Sequence, residues 1–172
     1  MRAFIVCFFW LVCVFIGRGE SPTTLTPIVT WSGIDSNCDK FGVERCHSVA
    51  EWEAVWKKHR GVETPQSTRP EIDFVSYMVI AIFDGQSSQN YGLTIAEIVN
   101  GEKSIRVRFR PHWYQIAGLP MSEADDLKLR TQSFVFVVLP TSEKSIVIED
   151  DVKDNSRALP KWRIRKTVDR RK

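Results

Sequence analysis

The sequence predicts a mainly β, β-rich α+β fold: a single sandwich or open-barrel domain of about seven strands with one capped α-helix. Three observations carry this. The runs Tyr77–Phe83 (YMVIAIF) and Ser133–Leu139 (SFVFVVL) are of strand length and almost continuously apolar, as strands buried on both faces are. Asn100-Gly101, a strong hairpin signal, separates a strand over Leu93–Val99 from one over Ser104–Arg110. A single segment, Ser48 to Arg60, carries the start, face and stop signals of a helix.

The chain has 172 residues, 43% of them hydrophobic, which is room for one packed core with a leader and a tail. Its formal net charge of +3 is too small to argue for a nucleic-acid partner.

Residues 1–19 read as an export signal. Arg2 supplies the positive start and Ala3 to Ile16 an apolar stretch too short for a comfortable membrane span. Gly17 and Gly19 are small residues placed for cleavage before Glu20. Two other fates stay open. Phe8, Phe9, Trp10 and Phe15 give bulk enough to retain the segment as an anchor. Cys13 invites lipid attachment, although Trp10-Leu11-Val12 lacks the small residues that usually precede such a site.

Residues 20–27 form a Pro/Thr linker, expected to be extended and mobile. Domain residues 28–151 follow. Ile28 to Trp31 is a first strand, and Gly33 to Asn37 is turn chemistry. Cys38 and Cys46 are the only cysteines outside the leader, so in an exported chain they are expected to form a disulfide across a hairpin-like loop. Free structural cysteines are one alternative, and two sharper readings compete. Cys38, Cys46, His47 and His59 have metal-ligand chemistry but not the familiar spacings. Cys46 and His47 could pair as nucleophile and base, though sequence neighbours rarely face each other.

Ser48 is an N-cap, with Glu51 three residues on completing a capping box. Val49, Trp52, Val55 and Trp56 fall on one face. Lys57, Lys58, His59 and Arg60 suit the negative end of the helix dipole, and Gly61 ends the helix. Trp52 and Trp56 are read as core, with a ligand platform as the alternative.

The stretch Pro70 to Ile95 is strand, polar loop, strand. Asp84-Gly85 is expected to end the first strand, and the second begins near Tyr91. Here the chain resembles the C-terminal domain of the protease complex subunit PrcB family. Pro70, Asp73, Phe74, Val79, Ile80, Ala81, Gly85, Tyr91 and Ile95 fit that family's pattern. Gly33, Ser36, Trp52, Trp56 and Thr131 to Phe134 fit it more loosely. The resemblance spans roughly residues 31–148 and implies a small β-rich domain that associates with a protease or another envelope protein and stabilises it. One departure stands out. Ser88-Gln89-Asn90-Tyr91 replaces the family's Thr-Gly-Gly-Tyr. Asn90, which tolerates the left-handed region better than Gln89, is then expected to take the positive φ, with Tyr91 pointing into the sheet.

In the strand Ser104–Arg110, Ile105, Val107 and Phe109 face one way and Arg106, Arg108 and Arg110 the other, the guanidiniums about 7 Å apart. This is a positive stripe fit for carboxylates or phosphates, or a solvated face balanced by Glu97 and Glu102. Residues 111–130 are irregular, with Trp113 and Tyr114 as candidate contact residues that could equally cap the sheet, and Ser122–Leu129 as a short acidic helix. Ser145 to Glu149 is a further strand. Residues 152–172 form a basic tail, in which Trp162-Arg163-Ile164 alternates like one more strand.

No Gly-x-Ser-x-Gly, HExxH or paired-carboxylate frame appears, so neither enzymatic chemistry nor a cofactor is expected. The reading is an exported, non-catalytic binding module for a protein partner, without a membrane span once the signal is removed. Candidate binding residues are Ser88, Gln89, Asn90, Tyr91, Arg106, Arg108, Arg110, Trp113 and Tyr114. Alternatives are a protease inhibitor acting through loops 85–91 and 111–130, and a structural envelope domain.

Overall fold

The computed structural model describes residues 21–61, 69–87, 90–113, 130–152 and 159–169. The leader, residues 62–68, Ser88, Gln89, Tyr114 and the expected acidic helix lie outside them. The elements are β1 (Thr23–Thr24), β2 (Val29–Gly33), β3 (Gly42–Cys46), α1 (Val49–Arg60), β4 (Tyr77–Ser87) and β5 (Asn90–Asn100). They continue with β6 (Ser104–Trp113), β7 (Thr131–Pro140), β8 (Ser145–Asp151) and β9 (Trp162–Val168).

The architecture is the β-rich α+β sandwich. One sheet runs β1-β5-β6-β8-β9 and the other β2-β7-β4-β3, so the two are separate sheets and no barrel closes. Pairing is antiparallel except between β6 and β8. Nine strands stand among the described residues against the seven or so expected: β1 lies in the segment read as linker, β3 in the one read as a loop between the cysteines, and the further strand suggested in the tail joins the five-stranded sheet as β9. Thr23 and Thr24 pair with Asn100 and Val99, and Trp162–Val168 pairs along β8.

The apolar runs of β4 and β7 have a simple cause: each is buried on both faces. Met78, Ile80 and Ile82, with Val135, Val137 and Leu139, pack between the sheets against Ile98, Val107, Phe109, Ile146 and Ile148. Val79, Ala81 and Phe83, with Phe134, Phe136 and Val138, lie beneath α1 against Trp52 and Val55. The helix therefore forms a third layer.

The cap of α1 is close to the one expected. Ser48 Oγ accepts from Glu51 N at 3.2 Å, while Glu51 reaches back to His47 N at 2.7 Å rather than to Ser48. The apolar face is shifted from the expected one. Val49 is exposed, and His59, expected among the positive charges of the last turn, is fully buried. Trp52 is also fully buried, donates Nε1–H to Pro70 O at 3.0 Å and stacks edge-on with Phe136, so it is core and not a platform.

Two further expectations are corrected. Cys38 and Cys46 are free thiols. The chain between them does not close a hairpin; from Gly42 it extends as β3, which ends at Cys46 against Val79, while Cys38 Sγ points to Lys58 O. The strand β4 does not stop at Asp84-Gly85 but continues to Ser87 through a bulge there. Gly85 allows this with φ of 85°, in the left-handed region, where an added Cβ would meet the backbone of Asp39, Lys40 and Phe41 at 3.0 Å.

Candidate functional site

The alternation of β6 places Ile105, Val107 and Phe109 in the core and Arg106, Arg108, Arg110 and His112 on the outer face of the five-stranded sheet. The register brings Glu97 beside Arg108 on one flank and Glu149 on the other. Arg108 donates to Glu149 at 2.7 Å and to Glu97 at 2.8 Å, and Arg110 to Asp151 at 3.1 Å. The bond Arg108 donates to Glu149, aided by the one to Glu97, raises the Arg108 pKa above its ordinary value. The expected positive stripe is thus largely neutralised, and Glu149 and Asp151 contribute to that alongside the expected Glu97. Arg106 is exposed and makes no ion pair among the described residues.

An aromatic component joins this face. Arg108 and Arg110 lie 5.1 and 5.6 Å from the centroid of the Trp162 ring, which β9 sets opposite Asp151. Tyr91, 51% exposed, tilts against His112, whose Nε2 bonds Thr94 Oγ1. Ile164 is 62% exposed in the next outward position of β9. The face carries Tyr91, His112, Arg110, Arg108, Trp162 and Ile164.

Behind it, at the edge between the two sheets, the nearly buried carboxylates of Asp84 and Asp150 meet more exposed arginines of β9. Asp84 is the extra residue of the β4 bulge and Arg165 the extra residue of a bulge in β9. Bulges re-aim side chains, and these two aim at each other, with Arg165 Nη1 3.6 Å from Asp84 and 2.8 Å from Asp150. Arg163 holds both oxygens of Asp150 at 3.1 and 2.7 Å. Asn90 Nδ2 donates to Asp84 at 2.6 Å. Burial raises the Asp84 pKa despite Arg165 and Asn90. Burial pushes Asp150 up too, but the bonds from Arg163 and Arg165 outweigh it and leave its pKa below the ordinary value.

A hydroxyl–imidazole pair sits under α1. Ser36 Oγ lies 3.0 Å from His59 Nδ1 and accepts the N–H of Cys38 at 3.2 Å. The imidazole is ringed by Phe134, Phe136 and Trp56 at centroid distances of 4.2, 4.9 and 5.3 Å. Both residues are sealed from solvent, so no substrate reaches this pair. Burial depresses His59 to a pKa of about 4, with the nearby Arg60 charge adding to the effect, and burial raises the Cys46 thiol to about 12. Cys38, Cys46, His47 and His59 do not converge: among the described residues no group of three or more metal-ligating side chains is gathered.

The remaining expected site residues divide. Asn90 is buried, not a surface contact, and it has no positive φ; Gly85 and Gly92 take that conformation on either side of it. Tyr91 is exposed rather than pointing into the sheet: the register of β5 on β6 shifts between Asn90 and Leu93, so Tyr91 does not share the buried face of Leu93 as strict alternation would have it. Trp113 ends β6 opposite Asn90. Sequence reasoning passed over Trp162 and Ile164 as site residues; their alternation with Arg163 and Arg165 was the available signal. Asp84 and Arg165 gave no such signal, since a bulge follows from pairing between distant strands. No helix among the described residues is long and apolar enough to cross a membrane. Comparison with protein-family models, with curated proteins and with solved structures finds no match.

Proposed function

We propose that this chain is an exported, non-catalytic binding module that captures a protein partner on the outer face of its five-stranded sheet. One observation carries the reading: Tyr91, Arg110, Arg108, Trp162 and Ile164 share that face, with Tyr91 51% and Ile164 62% exposed. Tyrosine, tryptophan and arginine are the side chains that dominate binding hot spots. Here the guanidiniums are already ordered over an indole and held by carboxylates, so little side-chain freedom is lost on docking. The resemblance in sequence to the PrcB family makes a protease or another envelope protein, stabilised by the association, the partner class to test first.

The experiment is affinity capture from an envelope fraction with wild type and with Tyr91→Ala/Ile164→Asp. A partner held by wild type and lost with the double variant, at unchanged melting temperature, supports the face as the site. A partner retained equally by both removes this face from the interaction.

A further inference from the structure

We infer that β9 is an electrostatic latch, an edge strand that opens and closes on the sandwich as a unit, with Arg165 as its bolt. None of the residues of β9 is buried, and Ile164 is largely solvated. Val168 alone of its side chains packs against the core between the sheets. Hydrophobic stabilisation follows the apolar area removed from water, so β9 draws little from it. Beyond its backbone ladder to β8, polar and cationic contacts hold it. Arg163 grips Asp150; Arg165 spans Asp150 on one sheet and Asp84 on the other; Lys166 Nζ donates to Val43 O at 3.0 Å. Arg165 also lies 4.0 Å from the centroid of Phe41, and Trp162 lies under Arg108 and Arg110.

This attachment is strong when closed and separable as a block. The groups facing the two carboxylates are the Asn90 amide from β5 and Arg163 and Arg165 from β9. When β9 lifts, Asp84 and Asp150 lose both cations at once, which holds the closed state dominant. The core strands β4 and β7 lose no apolar neighbour from β9 other than Val168, so opening does not require their unfolding. Where the chain enters β9, Val152 N donates to Lys161 O at 2.9 Å and Lys161 N to Asp151 Oδ1 at 3.0 Å. Opening carries Trp162 off Arg108 and Arg110, so the outer face is complete only with the latch shut. The latch stands on its own contacts and is tested without any partner.

The test is hydrogen exchange on the whole chain at neutral pH, read at the β9 amides bonded to β8 and at the amides of β4 and β7. In wild type the β9 amides are expected to exchange at least about 10-fold faster than those of β4 and β7. Arg165→Met is expected to speed β9 by about 10-fold, with β9 still exchanging faster than β4 and β7. If Arg165→Met does not fold, Arg163→Gln, whose side chain is already 57% exposed, is read in the same way. Exchange of β9 in step with β4 and β7 in wild type, or no acceleration of β9 by the substitution, overturns the latch.

Discussion

Asn90 and Asp84 are joined by a 2.6 Å hydrogen bond that ties the start of β5 to the bulge of β4. Asn90 Oδ1 accepts the N–H of Gly92 at 2.9 Å, and the side chain is fully buried. A backbone reading of this position, with Asn90 in the left-handed region, predicts that glycine is tolerated and valine is not. The side-chain bonds reverse the first half. Asn90→Gly and Asn90→Val should both destabilise by about 1–3 kcal/mol, since each leaves Asp84 short of a donor. Urea unfolding of the two variants decides between the accounts: a neutral Asn90→Gly would mean that the amide contributes nothing.

His59 makes stability fall in acid. Its folded pKa of about 4 lies below the ordinary 6.5, so the unfolded chain takes the proton first as pH drops. The His59 contribution is fully present above about pH 6.5, is lost between pH 6.5 and 4, and changes no further below that. The expected loss is about 2–3 kcal/mol. Urea midpoints at pH 7 and pH 4.5 should differ for wild type and differ much less for His59→Gln. An equal pH dependence in both proteins would assign the acid sensitivity to other groups.

The three arginines of β6 are not equivalent. Arg108→Gln leaves Glu149, itself only 8% exposed in its side chain, without its closest cation and should cost about 1–3 kcal/mol. Arg106→Gln should fall within about 0.5 kcal/mol of wild type, as substitutions at solvated positions do. Thermal melts of the single variants check this, and equal effects would show that the Glu97–Arg108–Glu149 bridge is energetically idle.

The buried cysteines should be unreactive. With its pKa raised to about 12, Cys46 holds almost no thiolate at pH 8. Iodoacetamide should leave it unlabelled in the folded protein and label it in guanidinium. Mass spectrometry without reductant should find Cys38 and Cys46 both as thiols; a mass lower by two hydrogens would restore a disulfide and refute the free-thiol state.

The sequence by itself determined the fold class, the helix and its cap, the two doubly buried strands and the hairpin around Gly101. Each is a local matter: a hydroxyl three residues before a carboxylate, an apolar run of strand length, a turn that only certain residues make. It also revealed the inward and outward faces of β6, because alternation is a property of one strand. Tertiary structure decided the rest. Neutralisation of the arginine stripe required a parallel β8 some forty residues away, and Trp162 became part of the face only when the basic C-terminal segment paired with β8. His59, read in sequence as one of the charges of the last helical turn, lies in an aromatic core because Phe134 and Phe136 lie across it on β7. The free cysteines and the Asp84–Arg165 contact have the same origin. Extension of β3 and the register of two separate bulges are set by which strands pair, and that choice is made by burial of the whole core rather than by any residue's neighbours in sequence.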